Sequence, residues 1–264
     1  MKKASFAGVA VLALLIAASV PLSAQTAADH IRQGDEYYSQ FDDAKALEEY
    51  LAAAKLEPEN YEALWKTARA YFDLGDLMEP KDKSAVEEQR KLFTESYKHA
   101  RQAVRTNPDD TWGHFFYSAA QGKYVLTQGK KDQINASKTI KEEIEKAIEL
   151  DPGNDLAYHA LGLWHRTMAE IGGAKRLFGG MIYGSIPKGS VEESEKYFKK
   201  AIELNAEYTN HHLELGRTYL AMKNYDLAKQ EFQKTLELPE TTSKCSLNKK
   251  EAQAELDALK KKGR

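Results

Sequence analysis

The chain has a single cysteine, Cys245, only seven prolines, no excess of either charge sign, and no long apolar run after residue 20. Each shortage excludes something. One cysteine cannot close an internal disulfide, which rules out a disulfide-stapled secreted scaffold; lying in a polar stretch, it reads as an incidental loop residue. A chain with 42% hydrophobic and 30% charged residues can bury a core but is too polar for a multi-span membrane protein. With 38 Lys and Arg against 40 Asp and Glu, bulk charge does not support binding of nucleic acid.

Catalytic signatures are also missing. There is no G-x-S-x-G, no phosphate-cradling glycine loop ending in Lys-Ser/Thr, and no paired cysteines. Gly172-Gly173 and Gly179-Gly180 lack the strand and helix context of a dinucleotide site. His159 and His165 are six residues apart and His211-His212 are adjacent, so neither pair has metal-ligand spacing on one helix face. No catalytic residue, cofactor or metal is expected, and the chain does not read as an enzyme.

What is present begins at the N-terminus. Lys2 and Lys3, the apolar run Ala4 to Val20, and Pro21-Leu22-Ser23-Ala24 read as the charged, apolar and cleavage regions of a secretory signal over residues 1–24. Cleavage after Ala24 predicts an exported, periplasmic protein whose formal charge moves from -2 to -4. The alternative is an uncleaved anchor, since about 20 apolar residues span a bilayer and this run falls just short. No Cys follows the run, which argues against a lipid-anchored form.

The body of the chain, 25–264, is periodic. One helix-ending phrase recurs at Ala53, Ala103, Ala147, Ala201 and Thr235, with a proline close behind in four cases. The gaps are 50, 44, 54 and 34 residues, and 34 is the period of the tetratricopeptide helix hairpin. The predicted fold is all-α: a tetratricopeptide-type superhelix with repeats at about 27–60, 61–110, 111–154, 155–208 and 209–242, closed by a capping helix at 247–262. Gly34 and Ala46 of the first repeat, like Gly216 and Ala228 of the fifth, are 12 residues apart. Repeats two, three and four carry 16, 10 and 20 extra residues, all between the two helices of a hairpin. Ser84 with Glu87 and Ser190 with Glu193 fit capping boxes that would start two of the second helices.

First helices line the concave face of such an array. Repeat position places Tyr38, Trp65, Arg69, Phe72, Trp112, Phe115, Lys123, His159, Leu163, Arg166 and Arg217 there. Guanidinium groups beside aromatic faces suit a carboxylate or an extended peptide, so Tyr38, Trp65, Arg69, Phe72, His159, Arg166 and Arg217 are the candidate binding residues. The competing reading is that the tryptophans pack between hairpins and the arginines snorkel to water. In the repeat-four insertion, Phe178, Met181, Ile182 and Tyr183 alternate with glycines. Burial of this loop in the groove, narrowing it, is expected over display to a partner or membrane.

Tyr61 to Ala70, the Phe178-Gly179-Gly180 insertion ending in Ile186-Pro187-Lys188-Gly189-Ser190, and Leu236-Glu237-Leu238-Pro239 before a closing helix together resemble the regulator of microtubule dynamics family. The resemblance implies a compact helical adaptor with protein partners, its eukaryotic relatives being linked to microtubules and membrane contact sites. A secretory signal departs from that picture, because an exported bacterial chain does not meet microtubules. A looser similarity is to periplasmic tetratricopeptide components of solute transporters. The expected function is therefore a non-catalytic scaffold binding a peptide, protein segment or acidic ligand, with a membrane-anchored organiser or a transporter-associated accessory as alternatives.

Overall fold

A computed structural model describes residues 25–183 and 185–263, except the side chains of residues 127, 174, 175, 177, 178 and 183. The expected signal, 1–24, lies outside the described residues. Among them there are helices and no strands: α1 (Ala27–Ser39), α2 (Asp43–Leu56), α3 (Tyr61–Leu77), α4 (Lys83–Thr106), α5 (Thr111–Tyr124), a 3-10 turn (Val125–Thr127), α6 (Lys130–Leu150), α7 (Asp155–Ala169), α8 (Gly173–Tyr183), α9 (Val191–Leu204), α10 (Thr209–Ala221), α11 (Tyr225–Glu237) and α12 (Cys245–Lys261). Consecutive helices pack antiparallel as five hairpins, α1/α2, α3/α4, α5/α6, α7/α9 and α10/α11, with α12 covering α10 and α11.

The hairpins close because small residues face large ones. Tyr50, Phe198 and Phe232 are fully buried, and a Cβ added to Gly216 would lie 2.5 Å from the Phe232 ring. Only glycine permits that approach. Alanines at Ala46, Ala53, Ala100, Ala103, Ala147, Ala201 and Ala228 are also fully buried, bringing neighbouring helices together along the array.

Two edges result. At the turn edge, between hairpins, each second helix ends at a short turn, and Asn60, Asp110 and Asn154 cap the following helix by accepting from the backbone N–H groups of Ala63, Trp112 and Ala157. At the insertion edge, within hairpins, repeats one and five use the same turn, with Phe41 and Lys223 at φ 63° and 61°. The extra residues of repeats two and three become longer helices, and those of repeat four become α8 and the segment leading to α9.

Several details differ from expectation. Helix α4 is capped by Asp82, whose carboxylate accepts from Ala85 N–H, so Ser84 already lies inside the helix; Ser190 does cap α9. Cys245 is no loop residue. It opens α12 fully buried, its thiol within hydrogen-bond reach of Thr209, Thr241 and Thr242. The repeat-four insertion is not a groove-filling loop: α8 leaves Met181 and Ile182 each 70% exposed, while the Phe178 and Tyr183 side chains lie outside the described residues. Arg176 holds this segment by donating to the carbonyls of Met168, Ile171, Ile186 and Pro187, and the buried Ile186 anchors its far end.

Candidate functional site: the concave face

Helices α1, α3, α5, α7 and α10 pack in series and carry the expected residues, of which Phe115 and Arg166 are buried. In its first half the face is aromatic. Trp65 stacks on Trp112 at 5.4 Å and on Phe116 at 6.0 Å, a ladder joining repeats two and three, with the buried Phe115 edge-on at its end. Phe72 meets Phe93 at 5.7 Å, and the Lys123 ammonium lies 5.8 Å from the Phe72 ring. The Arg69 guanidinium lies 3.6 Å from the centre of the Tyr38 ring and 5.1 Å from that of Trp65, and its Nη2 donates to Tyr50 Oη at 3.0 Å. Arg69 Nε is buried with no acceptor.

Arg217 occupies the same repeat position as Arg69, but where Arg69 rests on rings with Asp35 at 4.0 Å, Arg217 lies among three close carboxylates. It pairs with Glu214 at 2.8 Å, Glu251 at 2.9 Å and Glu255 at 3.3 Å. Arg166 is buried, donating to the Glu214 carbonyl at 2.6 Å and Thr218 Oγ1 at 3.2 Å and forming an ion pair with the Glu214 carboxylate. Burial alone would raise the Glu214 pKa, but Arg166 and Arg217 outweigh it and hold the carboxyl at about 2.

The structure also joins residues that spacing kept apart. Asp155 accepts from His211 Nε2–H at 2.9 Å, leaving His211 Nδ1 as acceptor for His159 Nδ1–H at 3.0 Å. This chain fixes both tautomers and crosses from α7 to α10. Burial, then the neighbouring His211, pushes His159 down to about 3, and burial lowers His211 as well. His165 takes other neighbours, Trp164 and Tyr197, and Glu170 is exposed at the end of α7. Among the described residues no three His, Cys, Asp or Glu side chains form a group that could hold a metal.

The element that reaches across the face is the C-terminal cap. Lys244, at the start of α12, forms an ion pair with Asp76 of α3, which also holds Lys123 at 2.6 Å, and Lys250 meets Glu79 at 2.6 Å. Between them, burial raises the Asp73 pKa to about 7, and its carboxylate accepts from Tyr38 Oη at 3.3 Å. No local pattern marks Asp76 or Lys244. One ion-pair family was visible in principle: His30, His114 and His212 share one repeat position and meet Glu49, Glu143 and Glu231, which share another, at 2.6, 2.5 and 2.7 Å.

Stacked antiparallel hairpins with a covering C-terminal helix define a tetratricopeptide-type fold. The same architecture is found in a thermophilic tetratricopeptide protein of Thermus thermophilus, with a TM-score of 0.62 and 18% identity over 87% of this chain and 100% of that one. PilF of Pseudomonas aeruginosa follows with 0.50 and 14% over 89% and 90%. At these identities the likeness is one of fold.

Sequence narrows the class. The chain belongs to the family described as Regulator of microtubule dynamics protein 1-3, whose profile matches residues 30–262. Regulator of microtubule dynamics protein 1 of Mus musculus is 33% identical over 65% of this chain and 55% of its own length; that of Bos taurus is 30% identical over 76% and 62%. The Caenorhabditis elegans protein is 24% identical over 79% and 90%. The chain thus spans between half and two thirds of the mouse and bovine relatives.

Proposed function

We propose that this protein is an exported, non-catalytic scaffold that holds an extended peptide or protein segment against the concave face of its first three repeats. The observation that carries the reading is Arg69. Its part-exposed guanidinium lies on Tyr38 beside Trp65. A carboxylate of a bound segment would meet the exposed part of that guanidinium, while Tyr38, Trp65 and Phe72 would take apolar side chains. Arg166, Arg217 and His159 serve this reading from behind, by holding repeats four and five in register, since their polar groups already meet Glu214, Glu251, Glu255 and His211.

Export rests on residues 1–24, and the microtubule-linked role in the relatives' names carries over only to a chain that stays in the cytosol. A transporter-associated accessory is one form of the exported scaffold. A membrane-anchored organiser is the second reading, favoured by the outward Met181 and Ile182 on α8; among the described residues no helix is long and apolar enough to cross a membrane. Mass spectrometry of the mature N-terminus separates the two: Gln25 supports export and release, a retained apolar run supports the anchor. For binding, partners captured from the exporting compartment are measured against wild type and Arg69→Ala with Tyr38→Ala. Loss of about tenfold in affinity is expected; equal binding by both proteins overturns the assignment.

A further inference from the structure

The packing order of the helices closes on itself. Repeats one to five stack in series, α12 packs on α10 and α11, and the start of α12 then returns to repeat two. Opposite charges meet where it returns. Repeats one and two present Asp43 at the start of α2 and Asp73, Asp76 and Glu79 at and just beyond the end of α3, while the cap presents Lys244 and Lys250. Lys244 shares Asp76 with Lys123 of α5, and Lys250 meets both oxygens of Glu79, at 2.6 and 2.7 Å. Ser243 lies beside the Asp43 carboxylate, whose Oδ2 is buried with no partner, and Glu214 and Glu251 attract Lys123 from the cap side.

Among the described residues no buried apolar cluster joins α12 to α2 or α3. The cap is instead tied to repeat five: Ala252, Leu256 and Leu259 join the cluster of α10 and α11, and Asn248 Nδ2 donates to Thr209 Oγ1 at 2.9 Å. Of the four helix pairs that join successive repeats, α2 on α3, α4 on α5, α6 on α7 and α9 on α10, the α6–α7 pair touches least. A polar seam thus stands opposite a thin joint. Ion pairs at a seam weaken with salt and re-form without repacking, while the buried cluster of Ile144, Leu161, Trp164 and Met168 stays together as a pivot.

We propose that this seam is a clasp over the binding face: repeats four and five with α12 swing as one body against repeats one to three about the α6–α7 joint, and release of Lys244 and Lys250 uncovers Tyr38, Arg69 and Asp73. Lys244 acts on the charge of Asp73, Tyr38 donates to Asp73, and Arg69 rests on Tyr38, so the clasp closes beside the groups assigned to the bound segment. What the opening admits rests on the peptide reading. The opening itself is a property of the chain alone and is measured without a ligand.

Distances between two nitroxide labels, read by pulsed electron spin resonance on the purified protein, test it. The labels sit at the exposed positions Lys81→Cys and Gln253→Cys, with the buried Cys245 replaced by Ser. One short distance is expected at about 20 mM salt, and a second population, longer by about 5 Å or more, half a helix diameter, grows toward about 500 mM. Asp76→Lys with Glu79→Lys makes the longer distance dominant at low salt, and adding Lys244→Glu and Lys250→Glu brings the short one back. A control pair inside repeats one and two, Ser39→Cys with Lys81→Cys, keeps its distance throughout. A single distance that neither salt nor the charge reversal changes overturns the clasp. So does an equal change in the control pair, or failure of the combined reversal to restore the short distance. Loss of binding in Arg69→Ala tests the peptide reading separately, so either can fail alone.

Discussion

Repeats one and five are built alike, and repeat four is not. In the first and last hairpins a glycine faces a fully buried aromatic ring, Gly34 on Tyr50 and Gly216 on Phe232, and a left-handed residue, Phe41 or Lys223, turns the chain directly into the second helix. Repeat four keeps the glycine contact, Gly162 on Phe198, but interposes α8 and a segment held by Arg176. The lesson is that the contact between helices defines the repeat, while the connection at the insertion edge is free to grow, because it adds no demand on the buried interface.

Four substitutions or conditions probe that difference and the joints around it. The largest effect falls on the glycine contact: Gly216→Ala forces the Phe232 ring to move and is expected to cost about 2–3 kcal/mol in chemical denaturation. The same change at Gly180 in α8, where a Cβ meets nothing within 4 Å, is expected to be neutral or to gain about 0.5–1 kcal/mol from helix propensity. Equal losses at both sites would erase the distinction between contact and connection.

Acidification acts on the α7–α10 joint. His159 has a folded pKa near 3, below its value of about 6.5 in the unfolded chain, so the unfolded state binds the extra proton between those values. The His159 contribution is full above pH 6.5 and falls as pH drops toward 3, by about 2 kcal/mol between pH 7 and 5; Asp73, raised to about 7 by burial, works in the opposite direction and gains stability over the same window. Glu214 adds its own loss only below about pH 4.5, since its carboxyl is held near 2. His114 runs the other way: burial opposes its charge, but Glu143 and the Pro108 carbonyl raise its pKa, so it stabilises below pH 6.5 and loses that contribution as pH rises through the folded value. Thermal unfolding of wild type and His159→Gln over this window reads the difference; parallel curves would dismiss the His159 contribution.

The smallest effect is at the shared turn. Lys223→Gly removes the cost of a side chain at φ 61° and is expected to stabilise by about 0.5–1 kcal/mol. An unchanged melting temperature would mean that the loss of chain entropy offsets the relieved strain.

Much of the fold was legible from spacing. Ala53, Ala103, Ala147, Ala201 and Thr235 mark the five second helices because a close helix contact tolerates only a small residue, and all five are fully buried. The excess lengths correctly placed the extra residues within hairpins. Their form was less legible: Ser84 and Glu87 match a cap pattern, but Asp82 lies earlier and takes the role. Repeat position proposed the concave residues, yet it could not distinguish Arg69, resting on Tyr38 with Asp35 at 4.0 Å, from Arg217, ringed by carboxylates. Those carboxylates come from Glu214 on α10 itself and from Glu251 and Glu255 on α12.

The sequence by itself determined that this chain is a solenoid of five hairpins, because periodic small and large residues act through contacts between neighbours and need no distant partner. Tertiary structure alone decided which charges meet. Asp76 and Lys244 are 168 residues apart, so their pairing depends on how far the superhelix curves before the start of α12 reaches α3, whereas His159 meets His211 across a single joint between neighbouring hairpins. Curvature accumulates from small rotations between stacked hairpins, a sum that no single repeat encodes.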